Sequence, residues 1–192
     1  MPRIPDLIPD QLSADQRRVH DAIVAGPRGA VQGPLRVWLT SPTLADRAQA
    51  LGQFARFDSS LSKDLSELAI LVTARFWSSG FEWTHHAPIA QAAGLPQAVI
   101  DAIANAQRPL LDCPKRQAVF DCAVELHRDH VITDQSFAAG LAALGQLGMV
   151  DLVGICGYYT LISMTINAFE VPDGDGPKLP ALALPVASYF QS

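Results

Sequence analysis

Residues 75–94 read RFWSSGFEWTHHAPIAQAAG. Behind the break at Gly80, Glu82 and His86 stand four residues apart, so a helix starting near Glu82 projects both from one face into whatever space its neighbours leave. A carboxylate raises the pKa of an adjacent imidazole and burial lowers it, so such a pair can be poised for proton transfer near neutrality. Phe81 and Trp83 argue that this face is at least partly buried, although a solvent-facing helix with one Glu and two His, His85 and His86, would read the same way. Gly94 closes the helix as a left-handed cap residue.

Working outward, the segment before it repeats apolar residues at three- and four-residue steps, Leu65, Leu68, Ala69, Val72 and Phe76, after a serine-rich turn at 59–62. Glu67 lies to one side of that stripe. An acid inside an apolar helix needs a partner, and His86 is a candidate; the alternative is a first-turn acid facing the helix dipole. Farther upstream, Ser13 with Gln16 reads as a capping box for a helix to about Val24, stopped by Gly26-Pro27. Residues 27–36 read as a loop, and Ser41-Pro42 opens a helix to about Arg56. Downstream, a short helix follows Pro96 and closes by Pro109. A sixth runs from Pro114 to about Arg128, a seventh from Thr133 or Asp134 to Gly148, and an eighth from Met149 to Phe169. No run alternates with a period of two, so the expectation is an all-α fold of about eight helices. It is taken as one domain over 1–192, with a core at about 30–172, a Pro-rich N-terminal arm and a C-terminal tail.

With 49% hydrophobic and 17% charged residues, the chain carries more apolar surface than a single core uses. A homo-oligomer is expected. Lys and Arg number 14 against 19 Asp and Glu, net −5, with no basic run, so neither nucleic acid nor an anionic membrane is an expected partner and a small molecule is. The longest apolar stretch, 149–166, is interrupted by polar residues and reads as a buried helix rather than a span. The N-terminus has no apolar signal core, and with the cysteine usage this suggests a cytoplasmic protein. Cys113, Cys122 and Cys156 form no CxxC and no close ligand set. Glu82 and His85 do spell Glu-x-x-His, a di-iron ligand spacing to which Glu125, Asp129 or His130 would have to contribute, but a second copy is missing and no metal is expected. His127 and His130 read as solvated helix-end residues.

ELAIL at 67–71, the block from Ser79 through EWTHH to AAGL ending at Leu95, and LVGICGYYTLISMTINAFEVP at 152–172 together resemble the carboxymuconolactone decarboxylase and alkylhydroperoxidase AhpD superfamily. The resemblance implies an all-helical hairpin core and trimeric or hexameric assembly. Glu67, Ser79, Glu82 and His86 fall where the peroxidase branch has its glutamate, two redox cysteines and histidine. With Ser79 and Glu82 in place of both thiols, the disulfide chemistry of that branch is absent, and the pattern looks like the decarboxylase branch, which acts on unsaturated lactone acids. On that resemblance His86 donates a proton to carbon after carbon dioxide leaves, Glu82 orients it and Glu67 completes a relay. Trp83 and Phe81 wall the pocket, with Ser79 and His85 lining it and His85 as a reserve acid. No cofactor is implied. The alternatives are a peroxidase-related oxidoreductase recruiting another cysteine, and a non-catalytic ligand-binding oligomer.

Overall fold

The structure, a computed structural model, describes residues 2–183 together with Pro185, Ser188 and Phe190. Among these the chain is helical, with no strand: α1 (Ala14–Ala25), α2 (Pro34–Trp38), α3 (Pro42–Gln53), α4 (Lys63–Phe76), α5 (Gly80–Ala92), α6 (Gln97–Ala104), α7 (Pro114–Arg128) and α8 (Asp134–Phe169). The Ser13–Gln16 capping box is formed reciprocally, Ser13 Oγ accepting from Gln16 N and Gln16 Oε1 from Ser13 N. Thr133 Oγ1 accepts from Ser136 N at the start of α8. Ser41 precedes α3 without such a bond, and Pro42 at the first position sets the helix there.

α4 is the axis. Residues 65–75 are buried without interruption, and α4 packs against α5, α6, α7 and α8. A helix enclosed on every side has to be apolar nearly all round, and LSELAILVTA is, with Glu67 as its internal acid. The turn to α5 is tight. Ser78 takes a positive φ of 48°, Ser79 N donates to Ala74 O at 2.9 Å, and Asn167 Nδ2 ties down Trp77 O at 2.7 Å. The result is an α4–α5 hairpin that sets Glu67 opposite the inner face of α5.

Three elements differ from the sequence expectation. The 27–36 loop ends in the short helix α2, started by Pro34 and fixed to α8 by a hydrogen bond from Trp38 Nε1 to Thr165 Oγ1 of 2.9 Å. α3 stops at Gln53 and the chain passes through a π-helical turn, Phe54–Asp58, before α4. The seventh and eighth expected helices are one run whose break lies at Gly145, not Gly148. Gly145 has φ 71° and ψ 176°, a conformation essentially confined to glycine, whereas Gly148 is buried inside the helix. Gly140 then allows Met149 to pack closely across the bend.

The tail does not leave the body. Thr84 Oγ1 donates to Pro177 O at 3.0 Å, Arg75 Nη1 to Pro180 O at 2.8 Å, and Asp173 lies against Gly80. The side chain of Phe190 stacks on Phe76 with ring centroids 5.3 Å apart. α8 is long and apolar enough to cross a membrane by length and composition. Its inner face packs on α2, α4 and α7, while Leu147, Val150, Val153 and Met164 form an exposed stripe.

Substituting Gly145→Ala forces a Cβ into a backbone region that rejects it, and the expected loss of stability is about 1–3 kcal/mol. Denaturant unfolding measures it. An unchanged midpoint would mean that the bend at Gly145 does not exist.

Candidate active site

Glu67 has no solvent exposure at all. A carboxylate there survives only if its charge is matched, and the hairpin supplies the match: His86 Nδ1 lies 2.7 Å from Glu67 Oε2. The other oxygen, Oε1, is 2.7 Å from Lys63 Nζ, an ion pair lying off the direction of a hydrogen bond. On the far side of the imidazole, His86 Nε2 is 3.3 Å from Glu82 Oε2. His86 and Glu82 are 2% and 3% exposed, so Glu67–His86–Glu82 is a buried line of three groups. Glu67 sits in the second turn of α4, and the first-turn acid is Asp64.

Burial by itself would lower the pKa of His86, but the charges and hydrogen bonds of Glu67 and Glu82 together outweigh it, and the net direction is upward. The same contact acts in reverse on Glu67. Burial would raise its pKa, while the His86 charge and hydrogen bond, helped by Lys63, pull it below the ordinary value. The two shifts agree on an imidazolium paired with a carboxylate, with Nδ1–H donating to Glu67. Tyr159 of α8 closes over the ring edge-on, centroids 5.0 Å apart at 89°.

Beside this line is a pocket of about 110 Å3, lined by Glu82, His85, His86 and Phe81 from α5, by Tyr159 and Ile162 from α8, and by segments outside the hairpin that include Arg28 and Arg56. His85 reaches it with Nε2 2.7 Å from Arg56 Nη2. The guanidinium can only donate, so Nε2 is the acceptor and the ring proton is on Nδ1. Burial, then the charges of His86 and Arg56, push the His85 pKa down to about 4, which leaves it neutral. Phe81 stacks parallel to His85 at 6.3 Å. Gly33, at φ 53°, is pressed against the Phe81 ring, where any side chain would collide.

Two expected pocket residues lie elsewhere. Trp83 is buried on a different face of α5, lining a hollow with Ala87, Pro88 and Gln97. At about 100° per residue Phe81 and His85 fall on one side of Glu82 and Trp83 on the other, and the pocket lies on the Phe81 and His85 side. Ser79 is fully buried at the head of α5, outside the pocket lining, and its Oγ has no hydrogen-bond partner among the described residues. His127 also departs from expectation. It is half-buried, with Nε2 2.9 Å from Thr73 Oγ1 and its ring stacked on Phe76, and burial followed by the charge of His130 pushes its pKa down to about 4.

None of the three cysteines lines the pocket. Burial pushes Cys122 up to about 11 and Cys156 up to about 12, far from the thiolate form that peroxide reduction needs. Glu125 is engaged by Thr133 N, Thr133 Oγ1 and Ser136 Oγ, and Asp129 by Arg128. Among the described residues no three His, Cys, Asp or Glu side chains are grouped to hold a metal ion.

Sequence reasoning missed Arg28 and Arg56. Each stands in an irregular stretch, the 27–33 loop or the π turn, where no periodicity marks a facing direction. The available signal was weak: an arginine within a Gly/Pro-rich loop.

No protein-family model matches the chain, and no curated protein matches it. Solved structures do. The chain is similar to the alkylhydroperoxidase AhpD core of an uncharacterized peroxidase-related protein from Ralstonia eutropha JMP134, with a TM-score of 0.74 and 17% identity, covering 91% of this chain and 93% of that one. It is also similar to an uncharacterized peroxidase-related protein from Silicibacter sp. TM1040, with a TM-score of 0.71 and 15% identity over 89% and 91% of the two chains. This chain therefore has the all-helical AhpD-like fold.

Proposed function

We propose that the pocket is the active site of a cofactor-free acid/base enzyme that decarboxylates a small unsaturated cyclic acid. The observation that carries the reading is the buried Glu67–His86–Glu82 line at the wall of a pocket that no thiol enters. A histidine whose pKa is raised is an acid suited to protonating carbon at neutral pH.

In the reaction the bond to the departing carboxyl group breaks and its electron pair moves into the conjugated carbonyl system. A proton then adds to carbon. Glu67 holds the imidazole by Nδ1–H and keeps it charged. Glu82, 3.3 Å from Nε2, lines the pocket beside His86 and relays the Nε2 proton toward the substrate. Glu67 is thus the positioning residue and Glu82 the nearer partner of the substrate, which exchanges the roles assigned to them from the sequence. The pocket volume of about 110 Å3 is below the roughly 150 Å3 of a cavity that takes benzene. Only a small acid, or the reacting end of a larger one, fits inside it. The homo-oligomer expected from composition draws support from the exposed apolar stripe on α8.

Carbon dioxide release from a panel of unsaturated lactone acids tests the reading. His86→Ala is expected to lower kcat by about 10²–10⁴-fold with little change in KM. Silence of the folded wild-type protein across the panel would move the assignment to a binding role.

Glu67→Gln keeps an acceptor for Nδ1–H but removes the charge that holds the His86 pKa up. Activity that needs the imidazolium falls as pH rises through the His86 pKa, so the variant's alkaline limb should move to lower pH. A limb that stays in place would remove Glu67 from the relay.

The same pair makes stability depend on pH. His86 has a folded pKa above its unfolded 6.5, so its contribution is complete below 6.5 and is lost as pH rises through the folded value. Glu67 has a folded pKa below its unfolded 4.5, so its contribution is present above 4.5 and is lost as pH falls through the folded value. His85 and His127, held neutral down to about 4, oppose folding as pH drops from 6.5 toward 4. Tm should therefore peak near neutrality and decline on both sides, and the alkaline decline should shrink in Glu67→Gln. An unaltered alkaline slope in that variant would show that the ion pair contributes nothing to stability.

A further inference from the structure

Two guanidinium groups line one small pocket, and among the described residues neither Arg28 nor Arg56 has a carboxylate within ion-pair distance. Among the described residues six other arginines, Arg3, Arg18, Arg36, Arg108, Arg116 and Arg128, each have a carboxylate partner, whereas these two, at one pocket, have none. Both are held in place by neutral partners. Arg28 Nη2 donates to Tyr158 Oη at 3.2 Å, and its Nε is buried without a hydrogen-bond partner. Gly52 lies directly beneath this contact, so close that a Cβ would strike both the Tyr158 hydroxyl and the Arg28 guanidinium. Arg56 Nη2 donates to neutral His85, its guanidinium lies 5.3 Å from the Phe57 ring centroid, and its carbonyl accepts from Lys63 Nζ at 3.3 Å. Arg28 contacts Tyr158 directly, and both guanidinium groups line the same pocket. The Glu67 and His86 charges compensate each other, and Glu82 is the remaining acid in the lining. With Arg28 and Arg56 against Glu82, the pocket lining carries more positive than negative charge.

We infer that Arg28 and Arg56 form a carboxylate-binding subsite, and that the ligand is an α,β-unsaturated carboxylic acid whose carboxylate is held there while its conjugated carbon faces His86 and Glu82. The inference deepens the acid/base reading of the pocket and rests on it for the direction in which the ligand lies. A guanidinium binds a carboxylate through two parallel N–H donors, which fixes orientation as well as charge. The group held is a retained one. Clamping a departing carboxylate would stabilise the ground state and slow its loss, whereas a retained conjugated carboxylate gains negative charge as the electron pair arrives. Two fixed cations stabilise that charge where it develops. His85 is then a positioning residue: its acceptor nitrogen holds Arg56 toward the pocket, and its neutrality adds no competing charge.

Isothermal titration with crotonate, its neutral isostere crotonamide, and inorganic phosphate tests this without any turnover. The expected result is that crotonate binds, that crotonamide and phosphate bind at least about tenfold more weakly, and that Arg28→Gln and Arg56→Gln each weaken crotonate about tenfold or more. Arg56→Lys, which keeps the charge and loses the fork, should fall between wild type and Arg56→Gln, and Arg28→Lys replaces Arg28→Gln if that variant does not fold. Equal binding of crotonamide and crotonate, preference for phosphate, or unweakened crotonate binding in folded arginine variants would overturn the subsite. Glu67→Gln separates the two readings. Arginine-dependent crotonate binding that survives in Glu67→Gln, in a protein inert on every acid tested for turnover, keeps the subsite and removes the proposed reaction.

Discussion

A carboxylate with no solvent exposure, placed in the second turn of the most enclosed helix, is the constraint on which the rest of this structure depends. Glu67 can stay charged in the core only while His86 and Lys63 stay beside it. His86 stays only while α5 packs against α4 with the Glu82–His86 face turned inward. That requirement fixes the hairpin turn at 77–79, where Ser78 adopts a positive φ, Asn167 of α8 holds the Trp77 carbonyl and the tail holds the Arg75 side chain. The side of α5 that carries Trp83 is then directed into apolar packing, and the site is reduced to one face of one helix.

Lys63 joins this core to the surface that becomes the pocket. It pairs with Glu67 through its side chain and donates to the carbonyl of Arg56. The π-helical turn is thereby fastened to the same acid that holds the histidine, and Arg56 at one wall of the pocket keeps its register with His86 at the other. π-helical turns are rare and concentrate at functional sites. Here the turn also brings Ser60 N within 2.7 Å of Asp151 Oδ2, anchoring it to α8. Glycines complete the enclosure from the outside, Gly33 under Phe81 and Gly52 under the Arg28–Tyr158 contact.

The similarity to peroxidase-related structures covers about nine-tenths of the chain at 15–17% identity, and it establishes the fold. The chemistry has to come from the side chains. Two of the three thiols are buried and held in the protonated form, and none meets the pocket, whereas an acid–histidine–acid line and two arginines do. Groups of these kinds suit proton transfer and anion binding rather than thiol chemistry.

The sequence by itself determined the all-α class and most helix limits, because caps, prolines and apolar spacing act within a few residues: the Ser13 box, Pro42, Pro114, Thr133 and Gly94 stand where the helices begin or end. It also brought Glu82 and His86 together, since residues four apart share a face whatever surrounds the helix. It misplaced the break in α8, because Gly145 takes a positive φ at the bend while Gly148 stays helical and buried, a difference that two glycines three residues apart do not carry in their sequence. Trp83 and Ser79 fell outside the pocket for a similar reason: facing direction depends on which side of α5 meets its neighbours. Only the tertiary structure decided that Glu67 meets His86 across nineteen residues and that Arg28 and Arg56 converge on them. Contacts between irregular segments far apart in the chain leave no periodic trace in it, and they form only when the burial of α4 brings those segments to one place.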